Sequence, residues 1–152
     1  MNNRIHLEDI IRVGRGDQPA DLLLQNARVV DVFSGEILNT DVALHAGRVA
    51  GFGRYEALAR MDLEGRYLCP GFIDGHIHIE SSMLTPPEFA RAVVPRGTTA
   101  IVCDPHEIAN VLGIEGINYM LHASAGLPVT VYVMLPSCVP ATRMETSGAE
   151  LT

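Results

Sequence analysis

The chain has 152 residues, of which 47% are apolar, 19% charged and 5% aromatic, the composition of a globular protein able to bury a core. Eighteen acidic against 11 basic residues leave a net charge of −7, and no basic run is present, which argues against a surface that tracks nucleic-acid phosphates. Every basic residue is Arg, so chemistry that needs a lysine amine, such as a Schiff base or a carbamylated lysine, has no source here.

No apolar stretch approaches the roughly 20 residues of a membrane-crossing helix. The first residues carry Arg4, Glu8 and Asp9 rather than the apolar segment of a secretory signal. Cys69, Cys103 and Cys138 are widely spaced and odd in number. They form neither a CxxC pair nor a disulfide framework, and they read as the reduced thiols of a cytoplasmic protein.

In chain order, residues 4–13 read as a helix. Leu7, Ile10 and Ile11 share a face, Glu8 precedes Arg12 at i, i+4, and Gly14, Gly16 and Pro19 end it. A helical segment 1–19 is followed by a β-rich segment 20–69. Within it, the runs 21–24, 28–33, 41–45 and 48–52 are separated by turn signals at Gln25-Asn26, Ser34-Gly35 and Ala46-Gly47. This spacing predicts a small antiparallel sheet or half of a sandwich. From residue 70 the pattern changes again. Strand-like runs 71–79, 98–103 and 128–135 alternate with helical stretches 86–95 and 114–125 at a spacing of roughly 30 residues, the signature of a βαβ series with a parallel sheet. A doubly wound sheet and the opening of a (β/α)8 barrel both fit this series.

The stretch with the most chemistry is Cys69-Pro-Gly-Phe-Ile-Asp-Gly-His-Ile-His-Ile-Glu-Ser-Ser-Met83. Residues i and i+2 of a strand point to one face, about 6.6 Å apart, so the imidazoles of His76 and His78 can converge on one divalent ion. On a helix the same pair would diverge. Phe72, Ile73, Ile77 and Ile79 favour the strand, and Asp74 and Glu80 are expected on the histidine face. Such a polar face is costly to bury unless its groups are paired or coordinated. Asp74 reads as a ligand or as a residue that fixes a histidine tautomer. Glu80, Ser81 and Ser82 read equally as helix caps and as substrate contacts.

The strand 98–103 leads into Cys103-Asp-Pro-His-Glu-Ile-Ala-Asn110. Asp104 reads as a cap of the next helix with Pro105 at its first position. His106 and Glu107 fall at the carboxyl end of the sheet, where α/β sites lie. Cys138, in the third such loop, has no base partner in the sequence that would make it a nucleophile. His6, His45 and His122 are isolated and read as surface or helix-face residues.

Pro70-Gly-Phe-Ile-Asp-Gly-His-Ile-His78 resembles the first-strand signature of the amidohydrolase superfamily, metal-dependent hydrolases with a (β/α)8 barrel and a β-sandwich built from both chain ends. Residues 21–69, with Asn26-Ala-Arg-Val-Val-Asp-Val-Phe-Ser-Gly-Glu36, resemble the N-terminal part of that sandwich. Three longer stretches are similar to the adenine deaminase family of bacteria: His-Ile-His-Ile-Glu-Ser-Ser-Met83, Gly-Thr-Thr-Ala-Ile-Val-Cys-Asp-Pro-His-Glu-Ile-Ala-Asn-Val-Leu-Gly113 and Pro-Ser-Cys-Val-Pro-Ala-Thr142.

The resemblance implies an α/β protein: the N-terminal part of a small β-sandwich over 20–69, then the first three βα units of an incomplete (β/α)8 TIM barrel over 70–152. It implies hydrolytic deamination of adenine to hypoxanthine and ammonia, in purine salvage, by a metal-activated hydroxide. His76 and His78 are the implied ligands of a divalent metal (Mn, Fe or Zn), binuclear in the full-length protein. Asp74, Glu80, Ser81, Asp104, His106 and Glu107 are candidates to support those ligands or to touch substrate.

The family's chains are several times longer, so this sequence is expected to be an N-terminal part, inactive alone. The bridging ligand (a glutamate in this family) and the general acid and base are expected further along. The implied partner is a small molecule, adenine, with no nucleic acid and no membrane, and the full-length protein is open to homo-oligomerisation. The alternatives are another amidohydrolase, acting as a deacetylase or cyclic-amide hydrolase, and a non-catalytic piece.

Overall fold

The structure is a computed structural model that describes residues 7–142 and 144–151. The first three residues of the expected helix, and His6 among them, lie outside the described residues. The chain divides into two compact units that meet in sequence at Pro70 and Gly71.

In the first unit, α1 (Leu7–Arg15) has Glu8 and Asp9 in its first turn and Arg12 and Arg15 in its last, the arrangement that the helix dipole favours. It runs two residues past the expected end, through Gly14, and stops at Gly16. Gly16 takes φ 80°, its N–H donates to the Val13 carbonyl at 2.8 Å, and the Asp17 N–H donates to the Arg12 carbonyl at 2.8 Å. These two bonds are the Schellman closure that satisfies the Arg12 and Val13 carbonyls of the last turn. Val13, the buried residue of α1, packs with Ala20, Leu23 and Ala43.

The β-rich segment folds as one sheet in which β1 (Ala20–Val30) is central. β2 (Ile37–His45) pairs with it antiparallel, and β3 (Arg48–Phe52) pairs antiparallel with β2. The β2–β3 turn takes positive φ at Ala46 (49°) and Gly47 (73°), as a tight hairpin requires. Asp21 secures it, accepting the Ala46 N–H at 2.7 Å and contacting His45 Nδ1 at 3.0 Å.

Two expectations are corrected here. The sheet is mixed rather than antiparallel, because β4 (Ala57–Asp62) and β5 (Tyr67–Leu68) both join β1 in parallel. Gln25-Asn26 is not a turn between two strands but a bulge inside one, where the β1–β2 register slips between Leu24 and Ala27. Asn26 sits there at φ 55°, a conformation that Asn tolerates because its side chain bonds locally. Its N–H donates to Asp41 Oδ1 at 2.9 Å and its Nδ2 to Asp62 Oδ1 at 2.9 Å.

In the second unit, β6 (Phe72–Ile77), β7 (Thr98–Cys103) and β8 (Thr130–Val133) form a parallel sheet in that order, as the βαβ spacing predicts. α2 (Pro86–Val93) starts with Pro in its first turn and passes through a 3-10 turn, Val94–Arg96, to Gly97 at φ 95°. Ile79, Phe89, Ala90, Ile101, Cys103, Met120 and Val129 form the core.

A helix begins directly after β7, as the Asp104-Pro105 pair predicts, but it is a short one, α3 (His106–Leu112), separate from α4 (Ile114–Ala123). Gly113, at φ 59° and ψ −137°, divides them, in a region of backbone space open essentially to Gly alone. Asp104 does not cap α3. Pro105 occupies the cap position, without a side-chain bond, so Asp104 stands one residue too early.

The bulge at Asn26 has a measurable consequence. Asn26→Val puts a β-branched side chain at positive φ and removes the bond to Asp62, so urea denaturation should show a loss of about 1–2 kcal/mol. Asp62 is held below the usual carboxylate range, first by the Asn26 side chain and then by the Glu64 N–H. A carboxyl depressed in the folded state contributes stability that is present above its unfolded value, 3.8, and lost as pH falls through the folded one. Asp62→Asn should therefore flatten the loss of stability below about pH 4, and an unchanged acid limb would contradict the bond.

Candidate metal centre

The candidate residues gather at the carboxyl ends of β6 and β7. His76 lies in β6, and His78, just past its end, keeps the extended backbone (φ −104°, ψ 102°). The alternation of the strand therefore carries through to His78, and both rings fall on one side. Their Nε2 atoms face each other at 3.1 Å, with ring centroids 5.0 Å apart and planes at 71°.

The third member comes from the neighbouring strand. Ile77 is in register with Cys103, and the Asp104 N–H donates to the Ile77 carbonyl at 2.9 Å. Asp104 thus leaves β7 level with His78. One ligand-type atom from each of His76, His78 and Asp104 lies within 4.8 Å of the others.

This donor set fits a divalent cation. Two nitrogens bound tetrahedrally to one zinc at about 2.0–2.1 Å would stand roughly 3.3 Å apart, close to the 3.1 Å between the imidazoles. Asp104 Oδ1 is buried and has no hydrogen-bond partner, a costly state for a carboxylate oxygen that a cation would relieve. Two imidazoles and one carboxylate are ligands suited to zinc and to other first-row divalent metals.

The remaining candidates divide by what they touch. Glu107 Oε2 lies 2.9 Å from His78 Nδ1, and its Oε1 accepts the Ser81 hydroxyl at 2.8 Å. Partial burial pushes the Glu107 carboxyl up. The Ser81 hydroxyl, the backbone amide and the His78 ring outweigh that and hold it below the usual range. Asp74 Oδ1 accepts the backbone N–H of His76 at 3.1 Å, so it braces the strand and stands outside the three-residue group.

Glu80 departs from expectation. The chain turns into a 3-10 segment, Ile79–Ser82, directly after His78, so Glu80 does not continue the histidine face. It reaches α3 instead, where Oε1 accepts the Ile108 N–H at 3.2 Å, while Oε2 is buried without a partner. Ser82 caps its own turn, donating to the Ile79 carbonyl at 2.6 Å. His106 is half-buried at the start of α3. Cys138 and His122 are exposed, and His45 belongs to the β2–β3 turn.

Asp104 belongs with the histidines more closely than a capping role suggests. The signal for it is non-local: it needs the β6–β7 register, which no single-strand pattern contains. Cys103, beneath the site, is buried, and burial pushes its thiol up to about 11, with the Glu80, Asp104 and Glu107 charges adding to the rise against the Ile79 amide. A thiol so raised is almost wholly protonated near neutrality and inert as a nucleophile. Under native alkylation at pH 8, Cys103 should be the last of the three cysteines to react by mass spectrometry. Early labelling at Cys103 would contradict its burial.

Residues 67–152 match the Amidohydrolase family. Over 146 residues and 96% of its length, the chain is 59% identical to Adenine deaminase 2 of Carboxydothermus hydrogenoformans, covering 26% of that protein. It is 58% identical to the adenine deaminase of Oleidesulfovibrio alaskensis (95% of this chain, 25% of that protein) and 54% identical to that of Kosmotoga olearia (97% and 26%). The chain therefore spans about a quarter of the length of the curated relatives it matches.

Among solved structures, it is similar to the N-acyl-D-glutamate deacylase of Bordetella bronchiseptica, solved with zinc and a phosphonate inhibitor. The TM-score is 0.58 at 19% identity, over 78% of this chain and 30% of that one. It is also similar to a D-aminoacylase studied for its binuclear metal centre, with a TM-score of 0.55 at 23% identity, over 77% and 30%. At these identities the likeness concerns the fold.

Proposed function

Since this chain belongs to the amidohydrolase family, we propose that the protein it forms part of deaminates adenine hydrolytically, adding water to give hypoxanthine and ammonia. The observation that carries the substrate is the identity of 54–59% to adenine deaminases over at least 95% of the chain, loops at the strand ends included. On this reading the parallel sheet is the start of a (β/α)8 barrel over 70–152. The mixed sheet over 20–69 is part of the accompanying β-sandwich, with a helical segment 1–19 before it.

His76 and His78 hold a divalent cation, and Asp104, whose carboxylate converges with them, joins as a ligand. Such an ion supplies a Lewis acid that lowers the pKa of bound water towards about 7. We read the metal as Mn, Fe or Zn, with two ions in the whole protein, and the setting as purine salvage in the cytoplasm. Among the described residues no helix is long and apolar enough to cross a membrane.

The chain's own residues then have distinct tasks. Asp74 fixes the His76 backbone at the strand end. Glu107 and Ser81 fix the His78 ring. Glu80 ties the turn after β6 to α3 through the Ile108 N–H, and His106, half-buried at the start of α3, is the polar group left at the strand ends to meet a neutral base. The connection from Ser81 to Pro87 contains no Arg, whereas a substrate bearing a carboxylate favours an Arg fork.

In the full-length protein, His76→Ala or His78→Ala should abolish metal retention and nearly all turnover. Asp74→Asn, which can still accept the His76 N–H, should cost no more than the 10–100-fold typical of residues behind a ligand. Full metal occupancy in His76→Ala would refute the ligand assignment. Compared side by side, adenine should turn over faster than adenosine, cytosine and dihydroorotate, because a site that hydrogen-bonds a base rejects analogues that leave its groups unpaired. Should another of the four be fastest, the substrate fails while the metal-dependent hydrolase stands.

A further inference from the structure

We infer that Glu107 is a positioning residue that fixes the tautomer and orientation of His78, and that Ser81 holds Glu107 in place to do so. The inference rests on the reading of His78 as a metal ligand and adds to it how that ligand is prepared.

The geometry is specific. His78 Nδ1 is 2.9 Å from Glu107 Oε2. A carboxylate can only accept, so the proton of a neutral His78 sits on Nδ1 and the Nε2 lone pair is left free. Nε2 is the atom that faces His76, 3.1 Å away. The ring thus turns its proton away from the three-residue group and its lone pair into it, the state in which a histidine ligates.

Glu107 is itself constrained. Its second oxygen accepts the Ser81 hydroxyl at 2.8 Å, which removes the freedom to rotate away. One position along in each segment, Glu80 accepts the Ile108 N–H at 3.2 Å. Two adjacent residues of the 3-10 turn after β6 therefore grip two adjacent residues of α3. These bonds join the connection after β6 to the connection after β7, so the orientation of His78 is set from the neighbouring βα unit rather than by its own strand.

The test uses the full-length protein with histidine-selective 15N labelling in the metal-free state, together with Zn(II) affinity measured by chelator competition. In the unsubstituted protein, His78 should show a protonated Nδ1 and an unprotonated Nε2. Glu107→Leu keeps the bulk and removes the acceptor. It should shift His78 towards the Nε2-protonated form and weaken Zn(II) binding by about 10–100-fold. Glu107→Gln keeps a carbonyl acceptor for Nδ1–H, and it should retain the tautomer and recover most of the affinity. A residue with only a structural role would lower the melting temperature in both variants without this split.

Ser81 is exposed, so Ser81→Ala carries the same test without risk to folding. It should loosen Zn(II) binding several-fold, less than Glu107→Leu. The inference is overturned if His78 is Nε2-protonated in the unsubstituted protein, or if Glu107→Leu or Ser81→Ala binds Zn(II) as tightly as it does. Absence of Zn(II) binding by the unsubstituted protein would instead overturn the metal-centre reading, because the tautomer measurement needs no metal.

Discussion

The site depends on one backbone constraint, the parallel pairing of β6 with β7 that sets Ile77 against Cys103. Parallel strands end at the same edge of a sheet, and this register makes these two end level. The residue after each, His78 and Asp104, is then carried to the same point by backbone hydrogen bonds rather than by side-chain choice. The bond from the Asp104 N–H to the Ile77 carbonyl, at 2.9 Å, is the last rung of that ladder. A slip of one residue would turn Asp104 to the other face and leave two histidines without a carboxylate.

Such an arrangement costs stability, and the surrounding bonds show how the cost is contained. Imidazoles and carboxylates drawn together at two strand ends lose part of their hydration, which is unfavourable wherever a buried atom finds no partner. Asp74 is engaged by the backbone of its own strand, Glu107 by Ser81 and His78, and Glu80 by α3. One oxygen of Asp104 and one of Glu80 are buried without partners. Beneath them, Ile79, Ile101 and Cys103 are almost wholly buried, so the polar groups stand on a packed floor.

The sequence discloses some of this directly, and physical reasons separate those parts from the rest. Thr98–Cys103 reads as a strand because a central parallel strand is apolar on both faces, and the structure places it at those bounds. The His76–His78 pair is legible because its meaning is local, requiring only a period of two. The edges are harder. β4, with the sequence ALARMD and mostly exposed, has no alternation to announce it. β5 is only two residues long, and Arg28 over its Tyr67 ring at 4.3 Å helps to anchor it. Gln25-Asn26 has the composition of a turn, and bonds brought in from elsewhere keep it within β1: those from Asn26 to Asp41 and Asp62, and those from the Leu63 and Gly65 N–H groups to the Gln25 and Asn26 carbonyls. Asp104 misleads for the same reason. Asp before Pro reads as a helix cap, and the alternative depends on a strand far away in sequence.

The separations in sequence among these groups are modest. Three candidate ligands come from two adjacent strand ends, and the groups that orient them come from the two connections that follow. Every bond among them closes within two neighbouring βα units, of which the farthest-separated pair is His78 with Glu107, 29 positions apart. Elements that are adjacent in both sequence and space order cheaply, because little loop entropy is spent in bringing them together. A side chain whose rotamer is already fixed by packing and by a second hydrogen bond loses less freedom when it takes up a ligand. The pairing of β6 and β7 therefore does two things through one set of bonds. It builds the floor of the site, and it presents nitrogen and oxygen donors to a common point before any ligand arrives.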